Sequence, residues 1–118
     1  MVDAKTLKNA GDIDPATFTD FGEVPTPLGE PVSRESGLIL FQNDDKSSEM
    51  GLWQCTPGSW RCEVKNDEFF YVLAGRAIYN ADDGTVTEIG AGMTCAFPAG
   101  WKGDCKVVET IRKVYMAR

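Results

Sequence analysis

The sequence predicts an all-β barrel or sandwich, and three observations carry that reading. From Leu38 onward, short apolar runs alternate with turn residues about every 8 to 12 positions, the rhythm of many short antiparallel strands. In Trp60-Arg61-Cys62-Glu63-Val64-Lys65 apolar and charged residues alternate strictly, so that Trp60, Cys62 and Val64 face inward and the charges outward. Asp82-Asp83-Gly84 marks a hairpin, because Asp-Gly tolerates the positive φ that a tight turn requires.

Taken in order, residues 1–36 read as an N-terminal arm and residues 37–118 as the barrel domain. Pro15, Pro25, Pro27 and Pro31 punctuate the arm, and Phe18, Phe21 and Leu28 are spaced too irregularly for a helix face. Its two phenylalanines predict that part of it lies along a sheet, its own or a partner subunit's. Strands are predicted over 38–42, 52–55, 59–65, 68–74, 76–80, 86–89, 94–97, 104–108 and 112–116. A turn centred on Pro57-Gly58 would set Cys55 opposite Trp60 and Trp53 opposite Cys62. Pro-Gly favours a type II turn, which splays strands, so an unpaired arrangement is the alternative. Phe69-Phe70-Tyr71-Val72-Leu73 is apolar on both faces. One face looks into the barrel, and the other needs a cover from a second sheet, the arm or another subunit.

Composition limits the function classes. The 118 residues make one domain, and 42% hydrophobic with 25% charged residues excludes disorder. The first ten residues lack the apolar core of a signal peptide, and no run approaches the roughly 18 apolar residues of a membrane helix, so a soluble cytoplasmic protein is expected. With 12 basic and 18 acidic residues the net charge is -6, which repels a phosphate backbone; neither nucleic acid nor membrane is an expected partner. Histidine is absent. That excludes Ser-His-Asp and Cys-His mechanisms and imidazole metal ligands, leaving carboxylates, thiols, Lys, Tyr or a bound cofactor for any chemistry. Cys55, Cys62, Cys95 and Cys105 lack C-x-x-C spacing and read as buried thiols. No glycine-rich loop precedes a helix, which disfavours nucleotide binding.

Two motifs carry a resemblance. Glu68 is followed by six residues and Gly75, and Gly92 by five residues and Pro98-Ala99-Gly100. Together with Trp53-Gln54-Cys55-Thr56-Pro57-Gly58-Ser59-Trp60-Arg61, Phe97-Pro98-Ala99-Gly100-Trp101-Lys102-Gly103 and Val108-Glu109-Thr110-Ile111-Arg112-Lys113-Val114-Tyr115, they resemble the cupin superfamily. The likeness is to its small single-domain members grouped with (S)-ureidoglycine aminohydrolase and the ethanolamine-utilisation cupin. It implies a double-stranded β-helix, or jelly roll, with a ligand cavity inside. It also implies metal-ligand positions at Cys62, Val64, Glu68 and Gly103, of which Val64 and Gly103 cannot ligate. No cofactor is therefore expected. A softer zinc set of Cys62, Glu68 and Cys105 is the alternative to thiols that merely line the cavity.

The candidate catalytic pair is Glu68 and Lys113. Alternation places Glu68 inward between Cys62 and Phe70, and places Lys113 on the face of Ile111 and Tyr115. Glu68 then serves as a general acid or base or a substrate anchor, or simply as an ion-pair partner of Lys113. Trp60, Cys62, Val64, Phe70, Lys102 and Cys105 are the candidate ligand-binding residues, Lys102 with Trp101 bordering the barrel mouth. The expected function is binding of a small nitrogen-containing or carboxylate metabolite. Hydrolysis of a ureido or amine substrate, as the resemblance implies, and a dimeric accessory role are the alternatives. A homodimer is expected in each case.

Overall fold

The computed structural model describes residues 3–118; the first two residues of the expected arm lie outside the described residues. Eight strands build one antiparallel sheet: β1 (Thr19–Glu23), β2 (Arg34–Gln42), β3 (Glu49–Cys55), β4 (Gly58–Glu63), β5 (Glu68–Ala81), β6 (Val86–Gly90), β7 (Thr94–Phe97) and β8 (Lys102–Ala117). The order is β1-β2-β3-β8-β5-β6, with β4 on β8 and β7 on β5. The architecture is the all-β jelly roll that the sequence predicts.

Its axis is the long antiparallel pair β5–β8. The sequence divides each of these strands in two, yet each runs on without a break. Bulges between Val72 and Ala77 turn the ladder instead. Gly75 makes this possible at a φ of 86°, where a Cβ would lie 2.1 Å from the Thr110 carbonyl oxygen. A residue without a side chain bends the strand there and keeps its neighbours paired.

The two halves of β8 recruit different partners. Residues 111–117 pair with β3, and residues 102–107 with β4. Cys55 therefore faces Ile111 and Trp60 faces Cys105, so the pairing of Cys55 with Trp60 across Pro57-Gly58 is corrected to the splayed alternative. By contrast Asp82-Asp83-Gly84 closes the β5–β6 hairpin as expected, with the Gly84 N–H donating to Ala81 at 2.9 Å.

The arm joins its own sheet. β1 pairs with β2, Val24 enters the core at 2% exposure, and Pro27 bridges to Trp60 of β4. Before β1, two 3-10 turns, Ala10–Asp12 and Pro15–Thr17, cross the outer face. There the Arg112 guanidinium donates to the carbonyls of Ala10 and Gly11 and lies 4.8 Å from the Phe18 ring. The inner face packs Trp60, Phe70, Val72, Tyr79, Phe97, Cys105, Val107 and Ile111 into the core. Among the described residues, no helix is long and apolar enough to cross a membrane.

Candidate functional site

Alternation along β5 and β8 brings Glu68 and Lys113 together, as the sequence predicts. The Lys113 ammonium donates to Glu68 Oε1 at 2.7 Å, and the side chains are only 9% and 24% exposed. The same Nζ lies 3.9 Å from the Phe70 ring centroid and 4.5 Å from that of Trp53. A charge so far from water is costly; one carboxylate and two aromatic faces offset that cost.

This pair sits in the wall of a cavity of about 410 Å³. Trp60, Cys62 and Val64 line it from the β4 side, and Trp53, Tyr79, Phe97 and Tyr115 add aromatic surface. Phe21 of β1 stands at its edge, so the arm contributes to the wall. Two further carboxylates face the space. Glu35 of β2 accepts the Trp53 indole N–H at 3.3 Å, and desolvation pushes its carboxyl up despite that bond and the nearby Lys113 charge. Glu49 of β3 accepts the Tyr115 hydroxyl and the Gln42 amide. Burial and the Glu49 carboxylate together push the Tyr115 phenol up, so it remains a neutral donor.

Not every candidate reaches the cavity. Phe70 is fully buried and forms the floor beneath the Lys113 ammonium instead of an open wall. Cys105 is 1% exposed and lies in the core, its thiol pushed up mainly by burial. Lys102 is exposed, its backbone paired with Glu63, and it is absent from the cavity wall. Its neighbour Trp101 turns inward, with its ring centroid 4.9 Å from that of Phe97. Glu35, Glu49 and Tyr79 are cavity residues that sequence reasoning missed. Glu35 lies before the 38–42 strand that the sequence predicts, so alternation could not place it; β2 in fact begins at Arg34.

These residues do not fit a resident metal. The Lys113 ammonium already occupies the cation position beside Glu68. A Cβ on Gly103 would lie 2.3 Å from the Asn80 carbonyl oxygen and 2.6 Å from the Trp101 ring, so no ligating side chain has room there. Among the described residues, no three Cys, Asp or Glu side chains gather closely enough to hold an ion. The zinc set of Cys62, Glu68 and Cys105 therefore does not assemble. Burial also raises both thiols, opposing the thiolate form that zinc requires.

The fold agrees with that of known proteins. EutQ of Clostridium difficile superposes with a TM-score of 0.64 at 22% identity, over 80% of this chain and 74% of that one. A putative ethanolamine utilization protein Q of Salmonella typhimurium gives 0.61 at 20% identity, over 86% and 93%. A DUF861-family protein of unknown function from Pseudomonas syringae gives 0.76 at 19% identity over 86% of this chain, which spans 44% of that protein's length. These likenesses establish the fold. The family model described as the EutQ-like cupin domain matches residues 42–115, more than half of the chain, from within β2 to Tyr115 of β8. The chain therefore belongs to the cupin superfamily, within the group of EutQ-like cupin domains.

Proposed function

We propose that the barrel is a metal-independent binding cavity for a small nitrogen-containing or carboxylate-bearing metabolite. The observation that carries this reading is the Lys113–Glu68 pair, set between the Trp53 and Phe70 rings in the wall of a cavity of about 410 Å³. A mostly aromatic space of ligand size with a few converging polar groups is the usual form of a small-molecule site. The ammonium supplies a fixed positive charge beside Glu68, one of the ligand positions that the family resemblance implies. The name of the Salmonella neighbour, ethanolamine utilization, adds amino alcohols to the compounds worth testing.

The test is thermal unfolding of chelator-treated protein against a panel of amines, amides, ureido compounds and short carboxylates. A ligand-dependent rise in Tm that survives the chelator supports the reading. No shift across the panel, or shifts only after metal is added back, overturns it.

One observation favours a second, hydrolytic reading: two carboxyl groups, Glu35 and Glu68, line the same cavity, and desolvation pushes that of Glu35 up. That reading requires turnover of a ureido or amide substrate by metal-free protein and its loss in Glu68→Gln.

A further inference from the structure

We propose that the group bound at the cavity wall is a neutral carbonyl oxygen, as in an amide, urea or ketone, and that it is seated on the Lys113 ammonium. This rests on reading the barrel as a ligand cavity and names the chemistry it selects.

Hydrogen-bond valence gives the first step. An ammonium carries three donors, and among the described residues Glu68 is the one acceptor that engages Lys113. The Phe70 and Trp53 rings attract its charge but are poor substitutes for a lone pair. Lys113 is 7% exposed and lines the cavity, so a further acceptor reaches it from the cavity side. A ligand oxygen accepting from the ammonium makes a charge-assisted hydrogen bond, about twice as strong as one between neutral groups. This excludes a bare cation at Lys113, which offers no acceptor and meets like charge.

Electrostatics gives the second step. Glu35, Glu49 and Glu68 all line the same space, against the single ammonium of Lys113. Cys62, the thiol in the wall, is pushed up by burial and by Glu68, which favours its neutral form. An anionic acceptor entering beside Lys113 would therefore face three carboxylates, one of them already paired with that ammonium. A neutral carbonyl satisfies the donors without that repulsion. Its apolar substituent then packs against Trp53 and Trp60, which line the wall.

Butyramide, butyrate, butylammonium and 1-butanol, nearly equal in size, separate these cases by titration calorimetry. Butyramide is expected to bind at least tenfold more tightly than the other three. With carbon-13 in the carbonyl, its infrared stretch is expected to move to lower frequency on binding. Both effects should be lost in Lys113→Met/Glu68→Gln, a double variant that removes the pair without stranding one charge. Tighter binding of butyrate or butylammonium, or an unshifted stretch, overturns the carbonyl assignment while leaving the binding cavity intact. No binding of the four probes overturns the carbonyl assignment too, and the wider panel of the thermal test then decides whether the cavity reading falls with it.

Discussion

At the scale of residues, the cavity couples stability to pH through Glu35. Its carboxyl is raised above the ordinary value of 4.5, chiefly by desolvation, with Glu68 adding to the rise and Trp53 and Lys113 opposing it. A carboxyl raised in the folded state contributes stability in full below its unfolded pKa and loses it as pH rises through the folded value. Folding stability from this group should therefore decline from about pH 4.5 upward, through its raised folded value. The surface carboxylates Asp20, Asp82 and Asp83 are lowered by hydrogen bonds and act with the opposite sign, at lower pH. Urea unfolding of wild type and Glu35→Gln across about pH 4 to 8, from just below the ordinary carboxylate value upward, isolates the Glu35 share. The variant is expected to gain stability relative to wild type as pH rises; a pH-independent difference would refute the coupling. Glu68 and Lys113 were legible in the sequence because strand parity carries to each from neighbours on the same face, Cys62 and Phe70 for Glu68, Ile111 and Tyr115 for Lys113. Glu35 was not, because it precedes Leu38, where the apolar rhythm begins. Its role depends on Trp53 and Lys113, partners 18 and 78 positions away in the sequence.

Among the elements, the decisive device is the bend shared by β5 and β8. Pattern alone separates 68–74 from 76–80, because Gly75 looks like a turn residue. It is instead a bulge at which the long strand changes partner, from β7 to β6. The same bend lets the first half of β5 aim Glu68 at the cavity while the second half carries Tyr79 to the same space. Gly75→Ala would force a Cβ against the Thr110 carbonyl at 2.1 Å and the Ile111 Cα at 2.6 Å, at a backbone angle that L residues avoid. A loss of about 3 kcal/mol in urea unfolding is expected, since neither contact is a flexible side chain that could yield. A loss below about 1 kcal/mol would mean that the bend relaxes without it. The β3–β4 connection shows the limit of local patterning. The alternation in 60–65 assigned the inward face correctly. Only tertiary pairing reveals that β3 and β4 attach to opposite halves of β8 instead of to each other.

For the whole molecule, the double apolarity of Phe69-Phe70-Tyr71-Val72-Leu73 resolves into two faces of different fate. Phe70 and Val72 are fully buried in the core, whereas Phe69 and Tyr71 remain 50% and 40% exposed. The arm covers the neighbouring part of this outer face, around Arg112, but stops short of Phe69. Strand register sets Phe69 beside Met116, and Met116 beside Met50, all three substantially exposed. A row of apolar side chains across three adjacent strands is a contiguous exposed patch of the kind that marks an association surface. A second copy meeting the same row about a two-fold axis would bury it without any new chemistry, since such an interface is self-complementary. Light scattering behind size exclusion is therefore expected to give a dimer at micromolar concentration, and Phe69→Lys/Met116→Lys a monomer with an intact fold. A wild-type monomer, or a dimer untouched by both lysines, would place the interface elsewhere or remove it. Deleting the arm is the wrong test of this face. Val24 lies in the core and β1 pairs with β2, so truncation before Pro31 would dismantle the barrel before it reported on association.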